Sequence, residues 1–136
     1  MSGVCVRICV AREHYALPVE QVLEVAEPGD LTPVPGSPAE IVGVRNLRGQ
    51  VVPVISLAAL LGLPNEEPKR IVVAELGARR AGLAVESVLD VGELPASSEP
   101  TESPYLSGAA LIDGTLVGLL DVDAILSPQG SLEASP

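Results

Sequence analysis

The stretch "GVRNLRGQVVPVISLAALL" spans Gly43–Leu61 and returns in altered form as "GAALIDGTLVGLLDVDAIL" at Gly108–Leu126. Both copies place a glycine-containing dipeptide between two aliphatic runs, Arg48-Gly49 in the first and Asp113-Gly114 in the second. Asp-Gly is a strong hairpin signal, and Arg-Gly is a weaker one in which glycine supplies a positive φ. Each copy therefore predicts a β-hairpin, and the apolar residues that follow predict a short helical turn.

A second segment is repeated in the same order along the chain. "ALPVEQVLEV" at Ala16–Val25 returns as "GLAVESVLDV" at Gly82–Val91, so that Asp90 stands where the first copy has Glu24. The two segments recur at nearly the same spacing, which identifies an internal repeat. We expect one domain over residues 1–136, with repeat halves at about 1–66 and 67–128 and a flexible tail at 127–136.

Each half reads as a series of short strands. A first strand is predicted at Val4–Ala11 and again at Arg70–Leu76, and tight turns follow at 12–13 and 77–78. About five short strands in each half, separated by Gly/Pro turns, indicate a small barrel. The predicted fold is therefore all-β with short helical turns, built as two five-stranded barrels that pack together.

One of the predicted helical turns follows the second strand. Val19, Val22 and Leu23 have the i, i+3, i+4 spacing of a helix face, and Pro18 suits the first position of a helix. The sequence therefore predicts a helical turn that begins near Pro18.

Composition excludes several classes of function. The net charge is −10, whereas a duplex nucleic-acid binder needs clustered cations and a single-strand binder needs aromatic platforms. The chain has no Phe or Trp and 47% hydrophobic residues, so its core must consist of Val, Leu, Ile and Ala. On these grounds we expect no nucleic-acid binding. We also expect no direct membrane insertion, because a long apolar stretch is missing. The start "MSGVCVRICVARE" lacks signal-peptide features, which favours a cytoplasmic location.

The sequence predicts no catalytic, cofactor or metal site. His14 is the only histidine, and no nucleophile motif of the GxSxG type is present. Cys5 and Cys9 would share a strand face about 13 Å apart, too far for a disulfide, and are interpreted as buried apolar residues. Asp121 and Asp123 could hold a cation, but their place at a helix start favours a capping role.

Arg48 is the most unusual residue of the first hairpin. The repeat places Asp113 at the equivalent position, so the fold accepts either charge there. One interpretation is a solvated hairpin tip whose charge contributes little. The other is that Arg48 pairs with an acidic residue such as Glu24 and shapes a docking surface, because a guanidinium binds a carboxylate in a bidentate manner.

The ordered series "YALPVEQVLEV", "GVRNLRGQVVPVISLAALLGL", "GLAVESVLDV" and "YLSGAALIDGTLVGLLDVDAIL" resembles the CheW family of bacterial chemotaxis coupling proteins. The resemblance runs from Val4 to Leu126, and the "NLRG…VPV" hairpin is its most specific part. It implies two five-stranded SH3-like barrels and a non-enzymatic adaptor with no cofactor.

The resemblance also implies the partners. Family members link the cytoplasmic tips of methyl-accepting chemoreceptors to the regulatory domain of a CheA-type histidine kinase, within two-component signal transduction. The protein is then expected in the cytoplasm, recruited to membrane-associated receptor arrays. The alternative is a CheW-like protein that lacks receptor binding, either a kinase-binding inhibitor or an adaptor for a non-flagellar pathway such as one controlling pili.

The resemblance finally implies which residues meet the partners. Arg48 matches the arginine of the family motif, Glu24 matches an acidic position implicated in coupling, and three valines are expected to line a cleft between the barrels. The predicted partner-binding residues are Val22, Glu24, Val25, Asn46, Leu47, Arg48, Gly49 and Val88.

Overall fold

The structure, a computed structural model, describes residues 3–64, 67–97 and 99–127. The strands are β1 (Val4–Val10), β2 (Glu13–Pro18), β3 (Val22–Ala26), β4 (Ile41–Leu47), β5 (Gln50–Ser56), β6 (Arg70–Leu76), β7 (Arg79–Val85), β8 (Ser87–Glu93), β9 (Leu106–Ile112) and β10 (Thr115–Leu120). The helices are α1 (Leu57–Leu60), α2 (Val122–Leu126) and a 3-10 helix (Val19–Gln21). Most of the tail predicted at 127–136 lies outside the described residues.

The strands form two five-stranded sheets. The first sheet has the order β8-β1-β2-β10-β9, and the second has the order β3-β6-β7-β5-β4. The predicted all-β fold with two five-stranded units is confirmed. The expectation of one barrel per half is wrong, because each sheet combines strands from both halves. The chain crosses between the sheets after β2 and again after β7, so each sheet joins the first two strands of one half to the last three strands of the other.

A shared core lies between the two sheets. Along β1, Val6, Ile8 and Val10 point into this shared core, while Cys5 and Cys9 alternate onto the opposite face of the strand. The second sheet contributes the alternating residues of β6 and β7 in the same way, among them Val72, Ala74 and Leu83. Both faces of the central strands are therefore buried, which accounts for their nearly continuous apolar sequences.

Each sheet also has a smaller inner core on its other face. In the first sheet the inner core consists of Cys5, Ala16, Val117 and Leu119. In the second sheet it consists of Val54, Ile71, Val73 and Ala84. The expected burial of both cysteines is confirmed, since Cys5 and Cys9 are almost completely shielded from solvent.

Both short α-helices begin with a side-chain cap. Ser56 Oγ accepts a hydrogen bond from the Ala59 amide, and Asp121 Oδ1 accepts one from the Ala124 amide, both at 3.1 Å. Asp123 instead receives a hydrogen bond from Arg79 at 2.6 Å. The capping role predicted for Asp121 is confirmed, and the two carboxylates serve separate purposes.

The helical turn after Pro18 is shorter than predicted. The 3-10 helix ends at Gln21, and Val22 already belongs to β3. A register shift between Val22 and Glu24 marks a bulge, which brings Val22 and Val25 opposite Ala74 and Val72, two residues of the shared core. The helical turn predicted to begin near Pro18 is thus confirmed at Val19, but Val22 and Leu23 of the predicted helix face belong to a bulged strand. The turn predicted at 12–13 lies one residue earlier, at 11–12.

The shared core predicts that the two sheets unfold together. Leu83 is fully buried in the second sheet, so Leu83→Ala should lower the free energy of unfolding by about 2–5 kcal/mol. The two tyrosines, Tyr15 and Tyr105, belong to the first-sheet side and report on it by fluorescence. Urea unfolding followed by far-UV circular dichroism and by tyrosine fluorescence should show the same shifted midpoint.

A surface variant provides the control for this prediction. Val51 is exposed, and Val51→Ala should change the free energy of unfolding by less than about 0.5 kcal/mol. A tyrosine transition that stays in place when Leu83 is truncated would contradict the coupling of the sheets.

Candidate functional site

The β4–β5 hairpin turns at Arg48 and Gly49, as predicted. Both residues have positive φ, 54° and 80°, which is the pattern of a type I′ turn. Asp113 and Gly114 form the same turn in the β9–β10 hairpin, with φ of 51° and 81°. A positive φ is uncommon for a long side chain such as arginine. The turn therefore holds Arg48 in a conformation that its own preference does not favour.

The Arg48 side chain reaches Glu24 on β3. Its Nε donates to Glu24 Oε2 at 3.0 Å, and its Nη2 donates to Oε1 at 3.3 Å. This bidentate contact confirms the interpretation that Arg48 pairs with Glu24. The guanidinium side chain is 80% exposed whereas the glutamate side chain is 22% exposed. Arg48 consequently presents most of its surface outward while Glu24 supports it from below.

The pair connects the two opposite edges of the second sheet. β3 is one edge strand and β4 is the other, with three strands between them. Arg45 on β4 adds a second link, because its Nη1 donates to the carbonyl oxygen of Glu27 just after β3. The sheet must therefore curl over its inner core until its edges meet, and side chains of Arg45 and Arg48 close the seam.

The electrostatics at this seam favour the ionised carboxylate. Hydrogen bonds from Arg48 are the main cause of a lowered pKa of Glu24, and partial desolvation opposes them. The charges of Arg48, Arg45 and Arg80 lower this pKa further. A lowered pKa means that the ion pair is fully formed at neutral pH and is lost only as the pH falls through the pKa of folded Glu24.

The equivalent carboxylate of the first sheet, Asp90, forms its ion pair with an arginine on a neighbouring strand and not with a hairpin residue. Asp90 on β8 receives two hydrogen bonds from Arg7 on the neighbouring β1, at 2.6 and 2.7 Å, and this contact lowers the pKa of Asp90. Asp113 stands at the hairpin tip, where the second sheet has Arg48. The two sheets thus share one plan, but one hairpin tip is cationic and the other is anionic.

The other predicted residues are divided between the surface and the cores. Asn46 Oδ1 accepts a hydrogen bond from the Gly49 amide at 3.0 Å and so closes the turn. Leu47 is partly buried and packs against the inner core of the second sheet. Asn46 and Gly49 therefore shape the tip, and Leu47 anchors it.

The three predicted valines lie on the faces that border the shared core. Val22 and Val88 are partly buried and pack against that core from the edge strands β3 and β8. Val25 on β3 is 45% exposed, and its repeat equivalent Val91 on β8 is 59% exposed. An exposed aliphatic margin therefore runs along each edge strand beside the shared core.

Several residues of this region were not predicted. Val91 could have been found, because the repeat aligns it with Val25. The contact between Arg80 and Gln50 could not have been found from the sequence, since the two residues are 30 positions apart and meet only in the folded sheet. Six of the eight Lys and Arg residues lie between positions 45 and 80, a clustering that the sequence does show.

The β9–β10 hairpin carries an apolar surface in place of a cationic one. Leu111 and Leu116 lie directly opposite each other in the hairpin and are 62% and 55% exposed. They border a groove of about 470 Å³ that also includes Tyr15, Leu106 and Pro100. Exposed apolar pairs beside a groove are typical of protein–protein contact surfaces.

Clusters of metal-ligating side chains and helices of membrane-spanning length are both absent from the described part of the chain. Within residues 3–64, 67–97 and 99–127, no cluster of three or more His, Cys, Asp or Glu side chains could hold a metal ion. No helix in those same ranges has the length and apolar character needed to cross a membrane.

Comparison with known proteins gives a consistent result. A family model described as the CheW-like domain matches residues 4–129. The chemotaxis protein CheW of Thermotoga maritima is 35% identical over 125 residues, which cover 86% of this chain and 83% of the relative. The chemotaxis protein CheW of Rhizobium meliloti is 29% identical over 137 residues, which cover 93% and 88%.

A solved structure and two further relatives extend this picture. The crystal structure of scaffolding protein TtCheW from Thermoanaerobacter tengcongensis has a TM-score of 0.81 and 29% identity, covering 90% of this chain and 86% of that one. Protein FrzA of Myxococcus xanthus is 38% identical over 60% of this chain and 53% of its own length. Protein PilI of Pseudomonas aeruginosa is 30% identical over 70% of this chain and 55% of its own length.

The seam geometry predicts how Glu24 titrates. Arg48→Ala removes the two hydrogen bonds, so the pKa of Glu24 should rise toward the usual value of a glutamate carboxyl. A carboxyl ¹³C NMR titration measures this shift directly. Arg7→Ala is the matched control, because it should raise the pKa of Asp90 and leave that of Glu24 in place. An unmoved Glu24 titration in Arg48→Ala would show that the pair does not form in solution.

Proposed function

The chain belongs to the CheW-like domain family, and on that premise we propose that it is a non-enzymatic adaptor in chemosensory signal transduction. The adaptor binds the cytoplasmic tip of a chemoreceptor and the regulatory domain of a CheA-type histidine kinase at the same time. Its site of action is the cytoplasmic face of a receptor array. Its mechanism is binding alone, and no bond is made or broken.

The observation that carries this proposal is the Glu24–Arg48 pair. The pair lies at the seam of the second sheet, with Arg48 largely exposed and its guanidinium oriented by two hydrogen bonds. An exposed pair of this kind contributes little to stability, so stability alone does not explain an arginine in a positive-φ turn. A partner that reads the oriented guanidinium does explain it.

The aliphatic margins supply affinity to this proposed site. Val22 and Val25 lie on the same edge strand as Glu24, so the carboxylate and the apolar side chains are neighbours along β3. A receptor helix that places small apolar side chains on this margin would bury it, while a polar group meets Arg48. Apolar contacts of this type provide binding energy, and the charged group provides specificity.

The kinase needs a second surface, and the β9–β10 hairpin is the one that we propose. Leu111 and Leu116 present an exposed apolar pair beside a groove, on the sheet that does not contain Arg48. Two partners can then be held at once because their surfaces belong to different sheets.

A second candidate function is favoured by the matches to FrzA and PilI. These relatives carry names other than CheW, so family membership does not fix the output pathway. The protein would then be an adaptor for a non-flagellar output such as pili, or a kinase-binding inhibitor without receptor binding. Separate titrations against a receptor cytoplasmic fragment and against a kinase regulatory domain distinguish these roles, because an adaptor binds both and an inhibitor binds only the kinase.

Reversing the charge at position 48 tests the proposed function. Arg48→Glu places two carboxylates opposite each other at the surface, so the fold should persist while affinity for the receptor fragment falls by about tenfold or more. Kinase autophosphorylation in a reconstituted mixture of receptor fragment, kinase and adaptor should fall with it. Circular dichroism and the urea midpoint check the fold.

A charge swap separates the pair from the partner contact. In the double variant Glu24→Arg/Arg48→Glu an ion pair can form again, but the exposed group facing the partner has the opposite sign. We expect the seam to be restored and receptor binding to stay weak. Normal kinase activation by Arg48→Glu alone would contradict the proposed role of Arg48.

A further inference from the structure

A second set of contacts holds the β4–β5 hairpin through the first residue of β5. Arg80 on β7 donates from Nη1 to Gln50 Oε1 and from Nη2 to Glu75 Oε2 on β6. Gln50 is the first residue of β5, directly after the Arg48-Gly49 turn. The guanidinium of Arg80 therefore joins two central strands to the base of the hairpin tip.

The backbone does not make this connection. β5 and β7 are paired only from Val54 to Ser56, where they face Gly82–Ala84. Gln50 lies four residues before that pairing starts, so the tip end of the hairpin extends past the ladder between β5 and β7. Along this extension the Arg80–Gln50 contact fixes the position of β5 relative to β7, and the turn follows β5.

The burial of Arg80 indicates a role beyond a surface charge. Its side chain is only 32% exposed, and its Nε is buried with no hydrogen-bond partner within the described part of the chain. A buried unpaired donor of a charged group is costly, and such groups call for an explanation. The two terminal nitrogens of Arg80 provide an explanation, because one binds Gln50 at the base of the hairpin and the other binds Glu75 on the central strand β6.

Arg80 also acts on the same carboxylate that Arg48 binds. Its positive charge is one of the causes of the lowered pKa of Glu24, although no hydrogen bond joins the two residues. The side-chain contacts thus lead from Glu75 on β6 through Arg80 to Gln50 on β5, and Arg48 in the adjoining turn binds Glu24 on the edge strand β3. Geometry and charge therefore converge on the Glu24–Arg48 pair.

We propose that Arg80 is the positioning residue of the candidate docking site: by holding Gln50 it fixes the hairpin tip at which Arg48 meets Glu24. The relevance of this positioning to signalling depends on the proposed function. The positioning itself is a property of the free protein and can be measured without any partner.

The test compares Arg80→Gln with Arg79→Gln in the free protein. Arg79 is the adjacent residue on β7, but its guanidinium binds Asp123 on α2, so it is a matched control for the loss of one arginine. ¹⁵N relaxation at Arg48 Nε reports how firmly the pair is held, and a carboxyl ¹³C titration reports the pKa of Glu24. In Arg80→Gln the order parameter at Arg48 Nε should fall below about 0.6, the range of flexible groups, and the pKa of Glu24 should rise. Arg79→Gln should change neither.

Two further variants identify the cause of the change. Gln50→Ala removes the acceptor at an exposed position without altering charge, so it should loosen Arg48 in the same way. Gln50→Ala also keeps the test valid if Arg80→Gln fails to fold. Arg80→Lys keeps the charge but cannot bridge two acceptors with a planar fork, so it should loosen Arg48 and change the Glu24 titration less than Arg80→Gln does.

The outcomes separate this inference from the proposed function. An unchanged order parameter at Arg48 Nε in folded Arg80→Gln and in Gln50→Ala overturns the positioning role, whatever happens to binding. If both variants loosen Arg48, the positioning role stands, and affinity for a receptor cytoplasmic fragment then tests the function. Arg48→Glu with unchanged affinity would reject the proposed docking site and leave the positioning role intact.

Discussion

The burial of both faces of the central strands is the constraint on which the rest of this structure depends. β1, β2, β6 and β7 each direct one set of side chains into the shared core and the alternate set into an inner core. The chain has no Phe or Trp, so neither small inner core contains a large side chain that could support it alone. The shared core supplies the burial that the inner cores lack, and the two units are inseparable because each sheet takes strands from both halves of the chain.

A sheet that must cover its own inner core has to curl, and the curl determines where the residues of the candidate site meet. In the second sheet the edges β3 and β4 approach each other, and the contacts there are polar: Glu24 with Arg48, and Arg45 with the Glu27 carbonyl. Such contacts add little to stability at an exposed surface, but they are directional. The interior therefore provides the free energy of folding, and the seam provides a charged group of defined orientation.

The parts of this structure that the sequence predicts are those determined by neighbouring residues. The two glycine turns, the cap at Asp121 and the repeat itself depend on local chemistry and were predicted from it. The exchange of strands between the halves was not predicted, because two halves of similar sequence are compatible with strand pairing inside one half or between the halves. Val22 and Leu23 have helical spacing from Val19 but lie in a bulged strand, and the Arg80–Gln50 contact joins residues that only the sheet order brings together.

Divergence between the two repeat copies gives the scaffold two different hairpin tips, one for each partner of the proposed function. At equivalent positions the β4–β5 hairpin has Asn46, Arg48 and Val51, whereas the β9–β10 hairpin has Leu111, Asp113 and Leu116. The backbone turn is the same in both, with closely matching φ values, so the substitutions alter the surface and leave its support unchanged. One tip becomes polar and cationic, and the other becomes apolar and acidic. A partner suited to one tip is therefore disfavoured at the other, since like charges and unpaired polar groups penalise the wrong match. Repeat divergence on a shared core thus gives an adaptor two distinct ends without a second domain.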